Sequence, residues 1–130
     1  MALGKENRFV LNLGREVTFN GDTATNALAG CHVVLPCDAI LEDVRGTCYS
    51  VTTTCVIQLI AGVGADVATA AKQVLSTTLS FAAADLEAEG IIKGSMVNYE
   101  KGQEFSLSET TSADATVGVS VQLTFRKKGA

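Results

Sequence analysis

Four cysteines and a single histidine carry the widest chemical repertoire in this chain, and three of these five residues fall in one heptapeptide, Cys31-His32-Val33-Val34-Leu35-Pro36-Cys37. Cys48 and Cys55 follow. Four chemistries are open to such a set: metal ligation, a disulfide framework, a catalytic thiol, or plain packing. Zinc sites present ligands in pairs roughly two to four residues apart, so that a tight knuckle aims both at one ion. Here five, ten and six residues intervene between successive cysteines, which matches no such pattern. A Cys–His nucleophilic pair needs hydrogen-bond reach, and adjacent residues of a strand point to opposite faces. Cys31 and His32 are therefore separated, and His32 is expected to be solvated or to lie in an interface. Cys31, Cys48 and Cys55 each recur in step with apolar neighbours: Cys31 with Val33 and Leu35, Cys48 with Ile40 and Val44, Cys55 with Ile57 and Leu59. Free cysteine behaves as a small hydrophobe, so core filling is the expected role. Cys37, between Pro36 and Asp38, is the thiol expected to be partly exposed. Any disulfide among the four stays open.

No other catalytic constellation appears. The glycine patterns of dinucleotide sites, phosphate loops and nucleophile elbows are absent, and Glu42 and Asp43 are strand neighbours that face opposite ways. The expectation is a non-enzyme with no cofactor, no metal and no small-molecule substrate.

The elements that hold these residues are read from periodicity. From Val117 to Phe125 apolar side chains occupy every odd position and small or polar ones every even position, the period of a half-buried strand. Phe105–Leu107, Val17–Phe19 and Leu75–Phe81 alternate in the same way, the last read as one strand. Cys55–Ala61 is apolar on both faces, as a central strand is. Ala27–Leu35, Ile40–Tyr49 and Ile91–Val97 complete about eight short antiparallel strands, separated by Gly, Asn, Asp and Ser turns. Ala65–Gln73 and Ala82–Glu89 have helical alternatives. The fold class is all-β, a single β-sandwich or jelly-roll-like domain. Residues 21–130 form that domain, and residues 1–20 are an N-terminal arm or first hairpin.

Composition bounds the partners. With 130 residues, 47% hydrophobic and 18% charged, the chain has enough apolar material for one core and is not disordered. No apolar run approaches membrane-spanning length, and the segment MALGKENRF lacks a signal-peptide pattern. Net charge is −4. Residues 85–114 hold seven acidic side chains against Lys93 and Lys101, while basic residues gather at Lys5, Arg8, Arg15 and Arg126–Lys128. Nucleic-acid binding requires one contiguous basic face, so neither nucleic acid nor a membrane is an expected partner.

The run VVLPCDAILEDVRGTCYSVTTTCVIQLIAG, from Val33 to Gly62, resembles the front half of small bacteriophage head-decoration (cement) proteins, in which a strand ends in a Pro-containing loop and a "G-T-I-x-x-V" strand follows. Ala39 stands where that family commonly has glycine. NYEKGQEFSLSE (Asn98–Glu109) resembles its "G-D-x-I-x-V" strand entry, with Gln103 in place of the usual aspartate. VGVSVQLTFR resembles its closing strand. The resemblance spans about residues 25–127. It implies a jelly-roll-like homotrimer on the virion capsid surface, made in the bacterial host cytoplasm, that binds the major capsid protein and stabilises the head. Another virion β-sandwich (head–tail joining, tail-tube or fibre-associated) and a carbohydrate-binding module are the alternatives. The arm mixes Phe9 and Leu11 with Lys5, Arg8 and Arg15, which are the expected subunit or capsid contact, made by strand addition.

Overall fold

A computed structural model describes residues 7–19, 27–49, 51, 54–63, 66, 69–83, 85–111 and 116–129. Among them are ten strands: β1 Arg8–Phe19, β2 Ala27–Val34, β3 Ala39–Thr47, β4 Thr54–Ile60, β5 Leu75–Thr77, β6 Leu79–Ala82, β7 Glu87–Ile92, β8 Asn98–Tyr99, β9 Glu104–Thr111 and β10 Thr116–Lys127. The pairing is nested. β1 pairs with β10, β2 with β9, β3 with β7 and β8, and β4 with β6, all antiparallel. Rolling up such a four-level hairpin sends alternate levels into different sheets. The outcome is one six-stranded sheet in the order β1-β10-β3-β7-β5, with β8 also on β3, and one four-stranded sheet, β2-β9-β4-β6. This is jelly-roll order, and it confirms the all-β sandwich.

The core lies between the sheets and follows the alternation. On β10, Val119, Val121, Leu123 and Phe125 are fully buried, while Gln122 and Arg126 are exposed. Facing them from the smaller sheet are Phe105 and Leu107 on β9, Cys55, Ile57 and Leu59 on β4, and Leu79 and Phe81 on β6. Gly46 on β3 is required by this packing, since a Cβ there would sit 2.8 Å from the buried Phe81 ring.

Three local readings are corrected. Ile40 does not share a face with Val44 and Cys48. Leu41 opposes Phe125 while Asp43 opposes Thr124, so Glu42 is an extra residue, a bulge that reverses the alternation partway along β3. Ala39 and Leu41 point inward before it, Val44 and Cys48 after it.

Leu75–Phe81 is two strands rather than one. Lys72–Val74 lie beside β4, bonded to Leu59 and Ala61; β5 then crosses to pair with β7, and β6 returns to pair with β4. Ile91–Val97 is likewise divided, because β7 ends at Ile92 and a turn closed by the Met96 N–H on the Lys93 carbonyl precedes β8.

Neither helical alternative forms an α-helix among the described residues. Ala70–Lys72 is a single 3-10 turn. Ala82 and Asp85 exchange backbone hydrogen bonds at 2.9 Å in a tight turn, after which β7 begins.

A candidate interaction surface

The two outer faces differ in chemistry. On the six-stranded sheet the alternation that turns Phe9, Leu11 and Leu13 inward turns Arg8, Val10 and Asn12 outward. Across β10 and β3 the bulged Glu42 carboxylate accepts from Arg8 Nε at 2.7 Å and lies 3.2 Å from Arg126 Nε. Glu42 stands two residues beyond Ile40, which pairs with Arg126, so it shares the outer face with both arginines. Further along, Arg45 Nε donates to Asp43 at 2.8 Å, and its guanidinium lies 3.8 Å from Glu89. The hydrogen bond to Asp43, then the charges of Asp43 and Glu89, raise the Arg45 pKa further above its ordinary value, so this site stays cationic throughout the working range. These groups are solvent-exposed, so they order the surface more than they stabilise the fold. Beside them Arg45, Thr47, Glu87, Glu89 and Gln122 line a shallow depression.

On the four-stranded sheet His32 and Val34 are exposed at its β2 edge, and the Ser106 hydroxyl donates to the Gly62 carbonyl at 2.6 Å. Gln58, 4% exposed, holds β5 in place. Its Oε1 accepts from the Leu75 N–H at 2.8 Å and from the Leu59 N–H at 3.1 Å, and its Nε2 donates to the Leu75 carbonyl at 3.0 Å. Sequence reasoning missed Gln58 and the Glu42 bulge. The only trace of Gln58 was one amide inside an otherwise apolar strand, and that pattern does not say where the amide finds partners.

The residues with chemical potential are dispersed. Cys48 and Cys55 are core residues, as the alternation with apolar neighbours predicts for buried thiols. The Cys31 side chain lies outside the described residues. Cys37 is partly exposed and not disulfide-bonded. It is expected to react with iodoacetamide in the folded protein, with Cys48 and Cys55 reacting only after unfolding; peptide mass spectrometry of protein labelled before and after denaturation checks this. Among the described residues no group of three or more His, Cys, Asp or Glu side chains is placed to hold a metal ion. Nor is a helix there long and apolar enough to cross a membrane.

Of the expected contact residues, Arg8 is exposed and ion-paired, whereas Phe9 and Leu11 pack against the core, Phe9 stacking on Phe125 with ring centroids 5.4 Å apart. Arg15 lies on β1 with its side chain outside the described residues, and Lys5 is outside them altogether. The strand thus brings Arg8 together with Glu42 and Arg126, but not with the apolar members of the expected set.

No protein-family model matches the chain, and no curated protein matches it. Among solved structures, a chain of the cyanophage Pam1 capsid asymmetric unit is 17% identical with a TM-score of 0.53, over 98% of this chain and 89% of that one. The likeness is one of fold. A chain of the acidic stable capsid structure of Helicobacter pylori bacteriophage KHP30 is 11% identical, with a TM-score of 0.45, over 92% of each chain.

Proposed function

We propose that this chain is a structural virion protein without catalytic activity, a decoration (cement) protein that binds the outer surface of the major capsid protein shell and stabilises the head. The observation that carries this reading is the jelly-roll strand order together with a fold likeness, over nearly the whole chain, to a chain from a phage capsid asymmetric unit. The dispersal of its reactive side chains supports it: the outer face of the larger sheet is a set of ion pairs in a shallow relief. Such a face suits contact with another protein surface better than capture of a small molecule.

The protein acts as a homotrimer, made in the host cytoplasm and carried on the capsid surface. Modest contacts to several capsid subunits add up through trimerisation, because a tethered second contact forms at high effective concentration. The leading segment, in which Arg8 is presented from a strand that Phe9 and Leu11 anchor to the core, supplies part of that contact together with Lys5 and Arg15. In purified virions the protein is expected in a fixed, high copy number relative to the major capsid protein, and it should sediment with empty heads when added back. Its recovery with tails alone, or failure to bind heads, would overturn the reading.

A further inference from the structure

Each side of this sandwich is bounded by two strands that are consecutive in the chain and belong to different sheets, β5 and β6 on one side and β1 and β2 on the other. The β2 ladder is interrupted, shifting register between Ala27 and His32. In contrast, β1 runs in unbroken register from Arg8 to Leu13.

The direction of its unpaired backbone groups follows from the ladder. The Lys127 N–H donates to the Asn7 carbonyl at 2.7 Å, and the Lys128 N–H to the Asp38 carbonyl at 3.0 Å. Odd residues of β10 therefore bond toward β1 and even ones toward β3. Antiparallel ladders alternate bonded with non-bonded pairs, so Phe9, Leu11 and Leu13 exchange bonds with β10. The N–H and C=O groups of Arg8, Val10 and Asn12 point to the open edge, where no described residue pairs with them. Exposed rows of this kind template strand addition.

We infer that this edge pairs antiparallel with β1 of a second copy of the chain, about a two-fold axis at Val10. In that register Val10 bonds reciprocally with the partner's Val10, and Arg8 with the partner's Asn12. Every residue that must bond outward does so. Val10 is 47% exposed, among the most exposed large apolar side chains described, and it would be covered by its own counterpart. A register centred on Arg8 would set two arginines opposite each other, and one centred on Asn12 runs into the irregular stretch after Leu13. The contact is two-fold, so it is separate from the proposed three-fold association and does not depend on the capsid reading. It would join one oligomer to the next.

The test uses purified full-length protein without capsids. Paired Val10 Cα atoms would lie about 5.5 Å apart, inside the roughly 4.4–6.8 Å range for a disulfide. Val10→Cys under oxidised glutathione is therefore expected to yield a reducible covalent dimer. Asn12→Cys, whose paired Cα atoms would be four rises of ~3.4 Å or roughly 14 Å apart, is expected to yield little beyond the wild-type background. Val10→Pro removes only an outward N–H, which an edge strand tolerates, so it should keep the native melting temperature while losing the sedimenting species that the wild type forms through this edge. Equal cross-linking of the two cysteine variants, no cross-link at millimolar protein, or an oligomer unchanged in natively melting Val10→Pro would each overturn the proposal. Absence of a trimer would bear on the capsid reading alone.

Discussion

Truncating Phe105 to alanine is expected to destabilise the protein by about 3–5 kcal/mol, the usual range for emptying a buried aromatic site. The ring is fully buried on β9, and it joins two sheets. Tyr99 of β8 meets it edge-on with centroids 4.8 Å apart, and Phe125 of β10 lies 5.6 Å away and in turn stacks on Phe9 of β1. Removing it leaves Tyr99 of β8 and Phe125 of β10 facing a hole. The Tyr99 hydroxyl, whose pKa burial raises well above the usual tyrosine value, donates to the Met96 carbonyl at 2.6 Å, so this ring cannot swing inward without giving up a hydrogen bond. Since domains of this size hold only ~5–15 kcal/mol in total, a large share of the stability should go. Urea unfolding should show a lower midpoint with an unchanged slope. Phe105→Leu, which restores most of the volume, should lose well under half as much, and an equal loss would show that the aromatic geometry matters more than the cavity.

The second large effect is expected at Gln58. Its carboxamide does for Leu75 what a neighbouring peptide group would do, accepting from the N–H and donating to the carbonyl. Gln58→Leu keeps the size but orphans those two groups and takes one partner from the Leu59 N–H. Each buried orphan costs roughly 1–3 kcal/mol, so a loss of about 3 kcal/mol is expected, with hydrogen-exchange protection falling first at Leu75. Gln58→Glu adds a sign test. Burial favours the neutral acid, which can still donate to the Leu75 carbonyl, so its folded pKa should rise above the unfolded value of about 4.3. Its stability should then be nearest to wild type below pH ~4 and fall as pH rises toward the folded pKa, because only the folded state retains the proton. A pH-independent Gln58→Glu would show that water reaches the site.

Gln58 also marks the limit of what periodicity can reveal. The alternation in Val117–Phe125 identifies both the strand and its buried face without further help, because a strand's two faces are set by backbone geometry alone. The same logic applied to Leu75–Phe81 gives Leu75, Leu79 and Phe81 correctly as inward, yet it misses the exposed Thr77 and gives the wrong strand, because a period of two does not say which neighbour a strand pairs with. Alternation also fails at Ile40, where one extra residue at Glu42 inverts the faces. A bulge leaves no mark in a sequence that is otherwise consistent with strand.

The ion-paired outer face of the larger sheet was legible in part. Arg8 was singled out by its place in a mixed basic and apolar segment, but its partners Glu42 and Arg126 lie 34 and 118 positions away in the chain. Phe9 and Leu11, grouped with Arg8 by proximity in sequence, turn to the opposite face.

By itself, then, the sequence determined the all-β class, the inward faces of β4, β9 and β10, and the burial of Cys48 and Cys55, since each depends on residues one or two positions apart. Only the tertiary structure decided that β1 pairs with β10 across the length of the chain, that β5 leaves one sheet for the other, and that Gln58 and Glu42 find their partners. Those outcomes rest on contacts between distant segments, chosen by which pairing buries the apolar faces while leaving the fewest backbone groups without a hydrogen bond.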